Sequence, residues 1–160
     1  MLNDMPMKIS TQLPNAALRF VLVISLFATP LDVIAAPVSI MTFNVENLFD
    51  TTHDAGKNDE TYLPASQKTG SAHVEKCTKI SVRRWREQCL YWDWSGAVVD
   101  RKLDAVAKAI KQVNDGHGPD IIALQEVENV RILERLRLDY LEGLGYQPAV
   151  LLEGKDKRGI

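Results

Sequence analysis

The pattern that most constrains this chain is a pair of strand-like segments, far apart in sequence, with an amphipathic helix leading into the second. Residues 38–44 (VSIMTFN) alternate apolar and polar positions with β-branched and aromatic members, which predicts a strand. Over residues 98–114, Val99, Leu103, Val106, Ile110 and Val113 recur at alternating spacings of four and three. Arg101, Lys102, Lys108 and Lys111 occupy the other faces, which predicts an amphipathic helix. Turn residues 114–119 (NDGHGP) stop it, and residues 120–125 (DIIALQ) read as a short buried strand. A helical crossover between two neighbouring strands makes them parallel. Their C-terminal ends then share the sheet edge at which ligands of α/β proteins bind.

A second helix is expected over 129–142, with Ile132, Leu133, Leu136 and Tyr140 on one side, Asn129 as N-cap and Gly143 as stop. Residues 146–152 (YQPAVLL) read as a third strand, with Pro148 marking an edge or a bulge. The stretch 50–97 is polar, lacks clear periodicity and holds both cysteines and all three tryptophans, so it reads as an insertion. The order is β–insertion–α–β–α–β, an α/β (α+β) class. The hydrophobic share of 46% and charged share of 25% suit a globular domain and exclude a wholly disordered, collagenous or multi-span membrane chain. The net charge of -2 gives no global pull towards nucleic acid or anionic lipid, so any basic footprint must be local.

The first 35 residues are not expected to join the fold. Lys8 and Arg19 precede a short apolar run, residues 20–28 (FVLVISLFA), and small residues follow at Ala35 and Ala36. That order predicts a cleaved secretory signal peptide over residues 1–35 and a mature chain from 36 to 160. The run is too short for a stable membrane anchor. Removing it takes two residues of each charge sign (Lys8, Arg19, Asp4, Asp32), so the net charge is unchanged. A periplasmic or secreted location follows. In such an oxidising compartment Cys77 and Cys89 are expected to form a disulfide, worth about 3 kcal/mol on loop-entropy grounds. Between and after them lie Arg83, Arg84, Trp85 and Arg86, then Tyr91, Trp92 and Trp94. Interleaved bases and aromatics can hold phosphates and stack nucleobases. The reading preferred here is plainer, a small satellite core of the aromatics beneath the loop, because a long insertion must bury something to stay ordered.

Two polar clusters end the first two strands: Asn44-Val45-Glu46 and Gln125-Glu126-Val127-Glu128. On a shared edge, Asn44, Glu46 and Glu126 make a hard-oxygen site suited to Mg²⁺, Mn²⁺ or Ca²⁺ rather than Zn²⁺. The same residues also suit an ordinary role as helix caps or solvated side chains.

The strings MTFNVENLFD and PDIIALQEVEN resemble the first two signature segments of the endonuclease/exonuclease/phosphatase (deoxyribonuclease-I-like) family, over residues 38–50 and 98–160. The resemblance implies the N-terminal part of a four-layer α-β-β-α sandwich, truncated at residue 160, with residues 156–160 (DKRGI) opening the next core strand. It implies Glu126 as the direct ligand of a divalent metal and Asn44 as a holder of metal and scissile phosphate. Glu46 matches an acidic ligand found in some members, and Arg158 a phosphate contact. The later Asp-x-Asn and Asp-His segments have no counterpart in these residues, so the 160-residue piece alone is expected to be inactive. His53, His73 and His117 match no motif and are expected in surface loops. The implied activity is exported, Mg²⁺-dependent hydrolysis of nucleic-acid phosphodiesters, as an endonuclease or exonuclease. Alternatives are a phospholipid or sugar-phosphate phosphodiesterase, and a non-catalytic secreted remnant or binding module.

Overall fold

Strand β1, Ile40–Leu48, and strand β2, Ile121–Val127, pair in parallel, with Ile40 opposite Ile121 and Asn44 opposite Gln125. They belong to a computed structural model that describes residues 36–160. The expected signal peptide, residues 1–35, lies outside the described residues. Strand starts are clipped together by side chains. Ser39 donates through its N–H and its hydroxyl to the Asp120 carboxylate at 2.7 and 2.6 Å, and Asn114 Nδ2 donates to the Ser39 hydroxyl at 2.8 Å. Those bonds hold the Asp120 carboxyl below its usual pKa.

Helices α1 (Ser71–Thr78) and α2 (Arg83–Tyr91) precede α3, Gly96–Lys111. The periodicity is borne out on α3: Val99, Leu103, Val106 and Ile110 are buried, joined by Ala107. This helix ends three residues before the expected stop. Asn114 and Asp115 take left-handed backbone (φ 52 and 51), so Val113 falls in a 3₁₀ turn, Val113–Gly116. Helix α4, Val130–Arg135, begins at Asn129 as expected. The Asn129 Oδ1 accepts from the Ile132 N–H at 3.0 Å, satisfying an orphan donor of the first turn. It runs on into a single π-helical turn, Leu136–Tyr140, and the chain leaves through Gly143 at φ 84. Tyr140 and Arg135 both bond Asp100, tying α4 to α3.

Three of the strand expectations fail. Strand β2 is not buried on both faces: Ile122 and Leu124 turn inward, but Ile121 is half exposed, because among the described residues no layer covers the second face. Residues 146–152 form no strand. Their polar groups are taken by side chains instead of a ladder: Ala149 N–H donates to Glu134 Oε1 at 2.6 Å, and Tyr146 O accepts from Arg137. The Tyr146 hydroxyl donates to Pro119 O at 2.7 Å. Residues 156–160 likewise form a turn, closed by Gly159 N–H on Asp156 O, and not a strand. The α/β class stands. A four-layer sandwich is not present among the described residues, which hold one two-stranded sheet.

The stretch 50–97 has structure of its own. Two 3₁₀ turns, Glu60–Tyr62 and Ala65–Gln67, lead into α1 and α2, and Cys77 and Cys89 are joined, 5.6 Å apart at Cα. Both cysteines are buried, and reduction forfeits the loop constraint. Reducing the chain with a water-soluble phosphine should lower unfolding stability by about 3 kcal/mol. Urea titration with and without the phosphine measures this, and coincident curves would contradict it.

Of the aromatics over 85–94, only Trp94 is buried, and it joins the main core with Phe49 and Val99, so the expected satellite core beneath the loop does not form. Its Nε1 donates to Phe49 O at 3.1 Å, and its ring meets Tyr62 edge-on. Trp85, Tyr91 and Trp92 lie exposed. His73 is also a correction: it sits half-buried inside α1, not in a loop, beside Cys77 Sγ at 3.3 Å and Cys89 O at 3.0 Å.

Candidate functional site at the strand ends

The parallel register runs to Asn44↔Gln125 and resumes at Leu48↔Val127. Between those pairs β1 has three residues, Val45, Glu46 and Asn47, and β2 has only Glu126. The first strand therefore bulges at its C-terminal edge. Glu46 (φ 54), Asn47 (φ 65) and Glu126 (φ 62) all take left-handed backbone. Asparagine tolerates that region, but glutamate does not favour it, and such residues cost about 1–3 kcal/mol each. Surrounding bonds must hold them there.

The bonds converge on Glu126. Asn44 Nδ2 donates to its Oε1 at 3.0 Å, and the Asn47 N–H donates to its Oε2 at 3.1 Å. The Glu46 N–H donates to Asn44 Oδ1 at 2.8 Å, which fixes which way the Asn44 amide faces. From α3, Lys102 Nζ donates to the Glu46 carbonyl at 2.8 Å. Burial lowers the Lys102 pKa, while Glu46 and Glu126 act to raise it. Arg158 bonds Asp156 at 2.8 Å, and that bond chiefly raises its pKa, with Glu126 and Tyr62 adding to the effect. Burial raises the Tyr62 phenol, opposed by Arg158.

The structure thus brings Asn44 and Glu126 into direct contact, sets Glu46 on the same bulge and leaves Arg158 in the field of Glu126. Asn47, Lys102 and Tyr62 complete this neighbourhood and were not singled out from sequence. Asn47 had one signal, since asparagine is favoured at left-handed positions. Lys102 reads as one more cation on a polar helix face, and Tyr62 lies in the stretch without periodicity. The donor set is two carboxylates and amide oxygens, with no thiol or imidazole, and this fits a hard divalent cation. Asn47 Oδ1 is buried without a hydrogen-bond partner, a spare oxygen acceptor on the residue whose N–H grips Glu126.

Behind the edge lies a denser acidic group. Glu128 is buried, and its Oε2 accepts from the Asp50 N–H at 2.8 Å and from Asn129 Nδ2 at 2.9 Å. Arg131 bridges Asp50 and Asp54, at 3.0 and 2.7 Å. The fully buried Asp59 accepts from the Asp54 N–H and pairs with His53. Burial pushes Glu128 up to about 8, opposed by the Asp50 N–H and reinforced by the charges of Asp50, Asp54 and Asp59. Between the ordinary value of 4.5 and about 8, the folded chain keeps a proton that the unfolded chain has lost. Stability therefore falls as pH rises through that window. Glu128→Gln should match the wild-type melting temperature near pH 4.5 and exceed it at pH 8. Thermal melts across this range test the sign, and a constant difference between the two proteins would refute it.

Two other groups of potential ligand atoms lie within 4.8 Å of one another: His53, Asp59 and Glu60, and His73, Cys77 and Cys89. In the first, Asp59 pairs with His53 and Glu60 with Lys76. In the second, both sulfurs are bonded to each other. No family model matches this chain, and no curated protein or solved structure matches it either.

Proposed function

We propose that this chain carries the first half of a divalent-metal-dependent phosphodiesterase site, belonging to an exported enzyme that hydrolyses nucleic acid. The observation behind the reading is the strained strand edge that grips Glu126 through Asn44 and Asn47. Strain of this kind persists where the surroundings over-determine it, and it clusters at functional sites. Glu126, with Asn44 and Glu46, would hold Mg²⁺, or Mn²⁺ or Ca²⁺. Such an ion, when bound, polarises a phosphoryl oxygen and offsets the charge that develops as water attacks.

The chain's own residues set the stage for that chemistry. Asn44 fixes the orientation of the Glu126 carboxylate while its own amide is locked by the Glu46 N–H. Lys102 holds the bulge through the Glu46 carbonyl. Arg158, oriented by Asp156, supplies a guanidinium suited to a phosphate oxygen. Activation of water falls to the later Asp-x-Asn and Asp-His segments that the resemblance calls for. The sandwich of that family is the architecture this reading requires. Export is supported by the leader-like sequence and by the Cys77–Cys89 bond.

The test is hydrolysis by a chain carrying both these residues and the later segments. DNA, RNA, phospholipid and sugar-phosphate diesters are offered in parallel, with EDTA and then with added Mg²⁺. Mg²⁺-dependent cleavage of a nucleic acid is expected. Failure to cleave any phosphodiester would overturn the proposal.

A further inference from the structure

The disulfide-bonded helices leave three rings uncovered: Trp85 is 58% exposed, Tyr91 75% and Trp92 45%. They share the segment 83–92 with three arginines. Arg83 pairs with Glu87 at 2.7 Å, and Arg86 donates to Ile80 O at 2.8 Å. Arg84 is exposed and makes no ion pair among the described residues. We propose that Arg84, Trp85, Tyr91 and Trp92 form a docking platform for single-stranded nucleic acid, outside the Glu126 site. This rests on the nucleic-acid reading above and extends it to the form of the substrate.

The chemistry favours an unpaired strand. Planar rings stack on bases whatever their sequence, and a guanidinium meets the phosphates between them. A duplex hides its base faces. A lipid surface is the poorer fit: Leu90 is half-buried, and the exposed aliphatic side chains of the helix pair are the short Val74 and Val82, a small wedge for acyl chains. Rigid mounting supports the same role. The Cys77–Cys89 bond ties α2 to α1, and Lys68 Nζ reaches Thr61 O at 2.9 Å and Gln88 O at 3.5 Å, tying α2 to the turn at Glu60–Tyr62. Tyr62 of that turn feels both Glu126 and Arg158. Platform and strand-end site thus lean on one support. Rings held in place lose little entropy on binding.

The test is fluorescence anisotropy of the full chain with a labelled oligothymidylate of about 12 nucleotides, long enough for one groove. EDTA is present, so that no cleavage intervenes. The same strand as a duplex, and phosphatidylglycerol vesicles, are the other arms. The single strand should bind more tightly than the duplex. Trp85→Ala and Trp92→Ala should each weaken it about tenfold. Arg84→Gln should flatten the logarithmic salt dependence by about 0.7. All three side chains are exposed, and circular dichroism with non-reducing peptide mapping checks that fold and disulfide remain. Equal binding of duplex, unaltered binding by both tryptophan variants, or binding to vesicles alone would overturn the platform. Mg²⁺-dependent cleavage without strand binding removes the platform and leaves the phosphodiesterase reading. Strand binding, with no cleavage by a chain that carries the later segments, does the reverse.

Discussion

Glu126→Gln should lower phosphodiester hydrolysis by roughly a hundredfold or more while leaving the chain folded. Both oxygens of Glu126 accept an N–H, one from Asn44 and one from Asn47. Glutamine has one oxygen, so its NH₂ must face one of those donors, and one grip is lost. The formal negative charge is lost as well, so the proposed divalent cation would keep Glu46 as its one carboxylate. Raised Mg²⁺ should restore part of the rate, because weaker binding yields to mass action. The measurement is rate against Mg²⁺ concentration for both proteins, in a chain carrying the later segments. Mn²⁺ binding to the 160-residue chain, followed by electron paramagnetic resonance, gives an independent readout. Unchanged activity in a folded Glu126→Gln protein would remove Glu126 from the site and the proposed mechanism with it.

Phe49→Ala should cost about 3–5 kcal/mol of stability. Phe49 is fully buried, one residue beyond β1, and stacks face to face on Tyr62 with ring centroids 3.9 Å apart. Its carbonyl holds the Trp94 indole. Removing the ring takes away the face stacked on Tyr62 and opens a cavity in the core beside the turn at Glu60–Tyr62. Phe49→Leu keeps most of the volume and should cost well under half as much. Urea unfolding of the three proteins measures this. A loss below about 1 kcal/mol for alanine would mean that the site collapses freely. Tyr62 also lies in the field of Arg158 and Glu126, so Phe49→Ala should loosen the strand-end site more than Phe49→Leu does.

The two strands, the long helix and the Asn129 cap were legible because each is a local pattern with one energetic meaning. Alternation at 38–44 and the 4-3-4-3 spacing on α3 depend only on which side meets the core. The pairing of Cys77 with Cys89 followed from compartment chemistry. What escaped was set by distant partners. DIIALQ has the composition of a strand covered on both faces, yet nothing in it reports whether a second layer is there. YQPAVLL has strand-like residues, but Glu134 and Arg137 claim its backbone before a neighbouring strand can. The left-handed backbone of Glu126 has no sequence signature, since it arises from a two-residue mismatch between strands that are remote in the chain. Asn44 and Glu126 could be named from strings, whereas Lys102 and Tyr62 join the site only through partners remote in the chain, and Asn47 carried no more than its tolerance of left-handed backbone.

The register of the sheet also bears on how the molecule assembles. Ile40 meets Ile121, and Ser39 meets Asp120 across 81 residues, so pairing must close a long loop before it gains any contact. The disulfide spans 12 residues and encloses no part of either strand. Oxidation and sheet closure are thus separate events, and the local one is topologically free to come first. A chain emerging N-terminus first can lock its helix pair while β2 has yet to appear. The edge that bears Glu126 then forms only when β2 docks beside β1, so the grip of Asn44 and Asn47 on that carboxylate arises late, and a cross-link closed beforehand would be no obstacle to it.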